Sequence, residues 1–164
     1  MNMWPSPQEA SAGFFPPRKF YLVKFMKVRI KRLRPEAVMP TYATAGAACF
    51  DLFSVDKEII GPNATKMIPT GLAFELPEEH VMMLFLRSSM SKRGFVSNTG
   101  IIDADYRGEV FFPVSNVAGG YLFVGPGDRL GQAMIIPRPR VEFDEVEELT
   151  PTERGAGGFG STGR

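Results

Sequence analysis

The sequence predicts an all-β fold: a sandwich, a jelly roll or a barrel. Short apolar runs are separated about every ten residues by turn sequences rich in Gly, Pro and Asn, the spacing that many-stranded domains use. The clearest runs lie at residues 81–86, 110–114, 121–124 and 130–136. No stretch keeps a helical period for three turns, and residues 89–93 are the one short helix candidate. The chain length of 164 residues fits one domain with a real core.

Composition excludes several classes of protein. A net charge of +1 argues against a dedicated nucleic-acid binder, and no apolar run approaches the roughly 20 residues that cross a bilayer. The one cysteine, Cys49, rules out an internal disulfide framework and fits a reducing compartment, so we expect a cytoplasmic protein. The one histidine, His80, stands at a strand start, where we expect a structural role. A metal would therefore be held by carboxylates or by substrate oxygens, which suits Mg²⁺.

The sequence divides into an extension, a domain and a tail. Residues 1–25 hold four prolines and no period, so we predict a dispensable extension, with Met26 a candidate for the true start. The alternative is an arm whose aromatic residues pack on the domain or on a partner: Trp4, Phe14, Phe15 and Phe20. Residues 27–31 alternate as a strand with its cations outward, which opens a domain at residues 26–150. Residues 151–164 form the C-terminal arm.

Ionisable groups are concentrated at residues 99–109. Two isoleucines lead into Asp103, and Asp105, Tyr106 and Arg107 follow. The pattern predicts a strand, a tight turn and a strand. A carboxylate between Ile and Tyr is partly desolvated, which raises its basicity and suits a general base acting on water. A surface hairpin with solvated acids is the alternative.

Two further stretches favour anion binding. Arg87, Ser88 and Ser89 follow a strand, where fork donors and hydroxyls form an oxyanion site, although an ordinary helix cap has the same composition. Gln132 lies three residues beyond Arg129 on another strand, so we expect the two side chains on opposite faces, one towards a ligand and one towards the fold.

Three other features of the sequence bear on the fold or on the candidate site. Asp51, between aromatic neighbours on a strand, is either paired within the core or close to a metal. Pro113 inside an apolar run predicts a sheet edge or a bulge.

Residues 154–164 hold five glycines in eleven residues, too flexible to fold alone. We predict that this tail closes over a ligand, with Arg154 on phosphates and Phe159 stacked on a base.

With these motifs in order, the chain resembles the homotrimeric dUTPase family. The matching stretches are residues 48–52 (ACFDL), 87–89 (RSS), 100–108 (GIIDADYRG), 127–132 (GDRLGQ) and 154–163 (RGAGGFGSTG). The resemblance covers the chain from about residue 27 to its end. The third and fifth stretches are the most specific.

The resemblance implies a jelly-roll homotrimer that binds dUTP in three active sites between subunits. It implies hydrolysis of dUTP to dUMP and pyrophosphate with Mg²⁺, which limits uracil incorporation into DNA and supplies dUMP for thymidylate synthesis. Asp103 would activate the attacking water, and Asp51 would lie near the metal through water. Tyr106 would lie under the deoxyribose and exclude a 2′-hydroxyl. The implied substrate-binding residues are Arg87, Ser88, Ser89, Asn98, Gly100, Ile101, Ile102, Tyr106, Phe111, Gln132, Arg154, Phe159, Gly160, Ser161 and Thr162.

In this resemblance a hairpin at residues 98–101 would read the uracil edge, largely through backbone groups. The sequence departs from the family pattern at several positions: Cys49 and Phe50 stand where Gly and Tyr are usual, Ser89 replaces Gly, and Leu86 replaces Pro.

The sequence leaves two other interpretations of the function to consider. The dCTP deaminase family shares the fold and the Arg-Ser-Ser stretch, but Pro113 stands at the position of its catalytic glutamate, and proline cannot move protons. A regulatory, nucleotide-binding relative that signals to another protein is the non-enzyme alternative, and the extension at residues 1–25 is the feature that invites it.

Overall fold

The computed structural model describes residues 26–158, which form twelve β-strands and one short helix. The strands are β1 (Arg29–Arg32), β2 (Thr41–Tyr42), β3 (Phe50–Phe53), β4 (Glu58–Ile60), β5 (Thr65–Pro69), β6 (Leu72–Glu75), β7 (His80–Leu86), β8 (Phe95–Val96), β9 (Gly100–Ile102), β10 (Phe111–Asn116), β11 (Leu122–Val124) and β12 (Arg129–Pro137), and the helix is α1 (Ser88–Lys92).

The strands pair into two main sheets and two small ones. The larger sheet has the order β2-β3-β12-β7-β9, and the second has the order β5-β10-β8. Two-stranded sheets join β1 to β6 and β4 to β11. Every pairing is antiparallel. The predicted all-β class is confirmed, and a jelly roll fits this arrangement.

The core lies between the two main sheets. Leu84 and Leu130 of the larger sheet are almost fully buried, as are Phe112 and Val114 of the second sheet. Burying each such side chain contributes roughly 1.5–3 kcal/mol. The Phe112 ring lies directly over Gly131, because a Cβ at that position would be 2.1 Å from the ring. A glycine in β12 therefore lets β10 pack closely on the larger sheet.

The predicted elements agree with the observed ones to within about two residues, the usual uncertainty at element ends. The helix candidate at residues 89–93 is α1, and His80 begins β7 as expected. In β1 the side chains of Arg29 and Lys31 are exposed, which confirms the outward cations. Pro113 lies in β10, the middle strand of its sheet, but β8 pairs only with the end of β10. Among the described residues Pro113 therefore has a partner strand on one side only, a local edge position of the kind predicted.

The strand, turn and strand predicted at residues 99–109 are present, but the alternative of a surface hairpin is wrong because the two strands do not pair. β9 pairs with β7 in the larger sheet, while β10 pairs with β5 and β8 in the second sheet. The segment between β9 and β10 therefore carries the chain from one sheet to the other. Local sequence predicted both strands and the turn, but the partners of each strand lie elsewhere in the chain.

Beyond β12 the described chain forms no strand or helix and is largely open to solvent. Residues 141–150 belong to no strand and are all exposed, and the Phe143 side chain is 93 % exposed. Among residues 26–158, no helix has the length and apolar character needed to span a membrane.

Candidate active site

Asp51 is a buried carboxylate held between two arginines. It lies in β3 and is 5 % exposed. Its Oδ1 is 3.1 Å from Arg87 Nε, and its Oδ2 is 3.6 Å from Arg129 Nη1. Contact through Nε leaves both terminal nitrogens of Arg87 for other partners. Of the two alternatives for Asp51, pairing is the one observed. Burial, and secondly the charge of Asp51, raises the pKa of the nearby Cys49 thiol.

A β-bulge brings Arg129 to the same side as Gln132. Gln132 lies directly opposite Asp51, whereas Arg129 lies opposite Phe53, two residues further along β3. Directly opposite residues share a face, and so do residues two apart on a strand. The register shifts between Arg129 and Gly131, which adds one residue to β12. The expectation of opposite faces for Arg129 and Gln132 is therefore wrong.

Arg87, Ser88 and Ser89 lie where β7 ends and α1 begins. The Arg87 carbonyl accepts hydrogen bonds from the backbone N–H groups of Met90 and Ser91, and no side chain caps the helix. The hydroxyls of Ser88 and Ser89 are exposed rather than used as caps. This geometry favours the anion-binding interpretation over the ordinary cap.

Asp103 lies immediately after β9 at the opposite end of β7. It is exposed in the single chain, so the partial burial predicted from its Ile and Tyr neighbours is wrong there. The Tyr106 backbone N–H donates to the Asp103 carbonyl over 3.2 Å, which closes a turn. Asp103 lines an open pocket of about 740 Å³ whose other charged residues are of both signs: Glu75, Glu78, Asp105, Arg107, Arg138 and Arg140.

The Tyr106 ring is fixed by the residues that follow it. A Cβ at Gly108 would lie 2.4 Å from the phenol oxygen, so only glycine accommodates the ring in this position. The phenol donates a hydrogen bond to the Glu109 carbonyl over 3.0 Å. Tyr106 remains 43 % exposed, so part of the residue is open to solvent.

The predicted hairpin at residues 98–101 is also wrong, because β8 and β9 belong to different sheets. Asn98 is exposed in the connection between them. β9, with Gly100, Ile101 and Ile102, is the last strand of the larger sheet and pairs only with β7 within the described chain. Its other edge leaves backbone groups free to bind the edge of a planar ring.

The two groups of candidate residues are far apart in one chain. Ile102, next to Asp103, lies opposite Met82, whereas Arg87 lies five residues further along β7. At a strand rise of about 3.3 Å per residue, that places the two ends roughly 17 Å apart. Phe111 occupies neither end: it begins β10, opposite Pro69, and is half-buried.

The described part of the tail forms local turns. Arg154 is exposed, and its Nε donates to the Gly157 carbonyl over 3.0 Å. The remaining tail residues for which we predict contacts with substrate lie outside the described residues: Phe159, Gly160, Ser161 and Thr162. The alternative packing of Trp4, Phe14, Phe15 and Phe20 also concerns residues outside the described range.

The protein offers no ready-made metal cage within residues 26–158, where no group of three or more His, Cys, Asp or Glu side chains converges. Asp51 is paired with Arg87 and Arg129, and both of its oxygens face guanidinium groups. The described residues therefore provide no direct set of ligands, and a magnesium ion at this site would depend mainly on oxygens of a bound ligand.

Sequence reasoning missed two partners of these residues. Arg129 contacts Asp51, but the bulge that brings it there leaves no recognisable local pattern. Glu109 accepts a hydrogen bond from the Gly71 backbone N–H over 2.7 Å, a contact between distant parts of the chain. The one sequence signal for Glu109 was its position directly after the motif at residues 100–108.

Comparison with known proteins identifies the family. The dUTPase family model matches residues 35–163. The chain belongs to the dUTPase family. A deoxyuridine 5′-triphosphate nucleotidohydrolase of Nautilia profundicola is 46% identical over 142 residues, covering 85% of this chain and 100% of that protein. One from Hydrogenobaculum sp. is 41% identical and covers 84% of this chain and 99% of its own length.

Solved dUTPase structures share the fold. A mutant of the Staphylococcus bacteriophage 80alpha dUTPase, with bound dUpNHpp, has a TM-score of 0.80 and 28% identity, covering 84% of this chain and 99% of that chain. A mutant dUTPase of phage phi11 of S. aureus has a TM-score of 0.73 and 26% identity, covering 77% of this chain and 100% of its own. That structure reveals the coordination of a structural Mg(II) ion. The resemblance stated from the motifs is thereby confirmed.

Proposed function

We propose that this protein hydrolyses dUTP to dUMP and pyrophosphate. The observation that carries the proposal is the pair of residue groups at the two ends of β7: cations and hydroxyls at one end, and an exposed carboxylate beside an aromatic ring at the other. Relatives that the chain matches over most of its length are named for this reaction. The reaction limits uracil incorporation into DNA and supplies dUMP for thymidylate synthesis.

In this proposal Asp103 acts as the general base. Its exposed carboxylate accepts a proton from a water whose oxygen attacks the α-phosphorus. The bond from that phosphorus to the oxygen bridging the α- and β-phosphates breaks, and pyrophosphate leaves with the electron pair. The products are dUMP and pyrophosphate, and no covalent enzyme intermediate is needed.

Side chains at the far end of β7 bind the phosphates. Arg87 is held by Asp51 through Nε, which orients its terminal nitrogens towards an anion. The exposed hydroxyls of Ser88 and Ser89 and the amide of Gln132, on the same face as Asp51, supply uncharged donors. From the tail, Arg154, Ser161 and Thr162 add contacts when the arm closes.

Recognition of the base and sugar uses the other end. The free edge of β9, at Gly100, Ile101 and Ile102, hydrogen-bonds the uracil edge through its backbone, with Asn98 beside it. Tyr106 lies under the deoxyribose and leaves no room for a 2′-hydroxyl. The list of proposed substrate contacts is completed by Phe111 and by Phe159 and Gly160 of the tail, with Phe159 stacked over the base.

Mg²⁺ is the proposed cofactor. Because no set of three protein ligands converges among the described residues, triphosphate oxygens would hold most of the ion, and Asp51 would be near it through water. When bound, the ion neutralises charge on the phosphates. Arg87 and Gln132 would hold the same phosphates from the protein side. The free cysteine, Cys49, supports a reducing compartment, so we propose a cytoplasmic location.

The separation of the two residue groups favours sites that combine more than one copy of the chain. A general base must lie within hydrogen-bond reach of the attacking water, directly or through one further water. The backbones of Asp103 and Arg87 are roughly 17 Å apart, so Arg87 and Asp103 of one chain are poorly placed to act at the same phosphate. We therefore propose a homotrimer in which each site combines residues of neighbouring subunits. No membrane and no nucleic acid takes part in this assembly.

A three-substrate assay tests the reaction. The protein is incubated with dUTP, UTP and dCTP, and pyrophosphate and ammonia are both measured. We expect pyrophosphate from dUTP, very little from UTP, and no ammonia from dCTP because Pro113 replaces the deaminase glutamate.

Asp103→Asn should lower kcat by at least about 10²-fold, the scale of a lost general base. Glu78→Gln removes an exposed acid from the same pocket and is the matched control.

Subunit mixing tests the shared site. Asp103→Asn chains are unfolded and refolded together with chains lacking residues 154–164, each inactive alone. If each tail closes on the Asp103 of another subunit, some mixed sites regain both parts and activity returns. Activity that stays absent after mixing would mean that each tail serves its own chain and would contradict the crossing arrangement. Ammonia released from dCTP would overturn the assigned reaction itself.

A further inference from the structure

Glu109 links the Asp103 turn to the core through two different atoms. Its side-chain Oε1 accepts a hydrogen bond from the Gly71 backbone N–H over 2.7 Å. Its backbone carbonyl accepts the hydrogen bond of the Tyr106 phenol over 3.0 Å. One residue therefore connects the substrate-facing aromatic ring to the turn between β5 and β6.

The Gly71 end of this link is rigid. Gly71 is buried, with φ +69°, and a Cβ there would lie 2.7 Å from the Ala37 side chain. The left-handed conformation and the close approach together require glycine. The Gly71 carbonyl accepts a hydrogen bond from the Leu33 N–H over 2.8 Å, so the backbone of Gly71 is held through its carbonyl as well as its N–H. The N–H that Glu109 meets is thus a fixed point of the core.

The chain after Glu109 is equally fixed. The Val110 N–H donates to the Leu72 carbonyl over 2.9 Å, and the Val110 carbonyl accepts from the Thr70 N–H and hydroxyl. Val110 is fully buried. The residues before it, from Asp103 to Arg107, are mostly exposed and held by short local bonds. Glu109 is therefore the junction between a buried, hydrogen-bonded strand and a turn of mostly exposed residues.

The cation of Arg34 lies near the Glu109 carboxylate. Arg34 donates a hydrogen bond to Asp56 over 2.7 Å, and its pKa is raised first by that bond and also by the negative charge of Glu109. An ionised carboxylate makes a stronger hydrogen bond to a backbone N–H than a neutral acceptor does.

We propose that Glu109 is a positioning residue for substrate selection: by bonding the Gly71 N–H, its carboxylate adds a second attachment to the peptide group whose carbonyl anchors the Tyr106 phenol and whose Val110 N–H bonds Leu72. The ring then stays close enough to the sugar to exclude a 2′-hydroxyl. This inference rests on the proposed hydrolysis of dUTP. Glu109 itself touches neither the substrate nor the attacking water.

The decisive measurement is the ratio of kcat/KM for dUTP to kcat/KM for UTP. Glu109→Ala removes the bond to Gly71, and we expect the ratio to fall about tenfold, the effect of losing one charge-assisted hydrogen bond. Glu109→Gln keeps an acceptor oxygen at the same reach and should hold the ratio within about threefold of wild type. An unchanged ratio in Glu109→Ala, or an equal loss in Glu109→Gln, would overturn the proposal.

A destabilised control separates positioning from general loss of structure. Val124→Ala truncates a buried residue of β11, outside the Asp103 turn, and should lower Tm while leaving the selectivity ratio unchanged. A fall of the ratio in Val124→Ala as large as in Glu109→Ala would also overturn the proposal.

Amide hydrogen exchange gives a readout that needs no activity. Exchange at residues 104–110 should accelerate at least about tenfold in Glu109→Ala and stay near wild type in Glu109→Gln. Wild-type protein that hydrolyses neither nucleotide would overturn the proposed function, and the exchange result alone would then decide whether Glu109 fixes the turn. Equal exchange in wild type and Glu109→Ala would refute that anchoring.

Discussion

Asp51→Asn is expected to weaken both the fold and phosphate binding. The change keeps the side-chain shape but removes the charge that lies 3.1 Å from Arg87 Nε and 3.6 Å from Arg129 Nη1. Removing one partner of a fully buried ion pair costs about 3–5 kcal/mol. Here the side chains of Arg87 and Arg129 remain 24% and 54% exposed, so they can rehydrate, and we expect a loss of only about 1–3 kcal/mol.

Urea unfolding at fixed protein concentration measures this loss. With a slope of about 1–3 kcal/mol per molar urea, the midpoint should fall by about 1 M. Asp56→Asn is the matched control, because Asp56 pairs with Arg34 over 2.7 Å but both side chains are more than a third exposed. That surface pair should contribute no more than about 1 kcal/mol.

Kinetics distinguish the two interpretations of Asp51. If Asp51 chiefly orients Arg87, the KM for dUTP should rise about tenfold in Asp51→Asn, with the Mg²⁺ concentration for half-maximal activity little changed. If Asp51 chiefly meets the metal through water, the Mg²⁺ requirement should rise and stability should change little. A stability within about 0.5 kcal/mol of wild type would refute the reasoning from the ion pair.

Three further predictions concern other parts of the molecule. Gly131→Ala should lose about 1–3 kcal/mol of stability in urea unfolding because its Cβ meets the Phe112 ring, whereas Gly119→Ala, in open space, should change it by less than about 0.5 kcal/mol. Burial raises the pKa of the Cys49 thiol. The stability that the protonated thiol contributes is therefore fully present below the ordinary thiol pKa of about 8.5, and it is lost as the pH rises through the pKa of the folded state. Unfolding between pH 7 and 10 should therefore show a steeper alkaline loss in wild type than in Cys49→Ala. A chain beginning at Met26 should keep activity and assembly, and aggregation of that chain would support packed aromatic residues in the extension.

Strand positions were predictable because they depend on local pattern. The run at residues 81–86 became β7 and the run at 130–136 became β12, each extended by one or two residues. Strand partners were not predictable in the same way. β9 and β10 are separated by one turn, yet each pairs with strands from other parts of the chain. Pairing depends on long-range packing, so a strand-turn-strand pattern is insufficient to predict a hairpin.

A single extra residue explains the error over Arg129. Side chains alternate along a regular strand, so residues three apart should face opposite ways. The bulge between Arg129 and Gly131 cancels that alternation and brings Arg129 onto the face of Gln132 and Asp51. Bulges depend on how two strands fit together, and the sequence Gly-Asp-Arg-Leu-Gly-Gln alone does not distinguish a bulged strand from a regular one.

The exposure of Asp103 links the chemistry to the proposed assembly. Its sequence neighbours predicted a partly buried carboxylate, but Ile101 and Tyr106 are themselves 54% and 43% exposed, so they shield it little in one chain. Water exclusion around a general base strengthens every electrostatic interaction there. Since the described residues leave Asp103 open, the shielding has to come from bound nucleotide, from another subunit or from the tail. In the proposed site, another subunit and the tail also contact the phosphates or the base of the bound nucleotide. Substrate binding and shielding of Asp103 would therefore occur together. Deleting residues 154–164 should accordingly lower kcat by more than it raises KM, and a change confined to KM would contradict a shielding role for the tail.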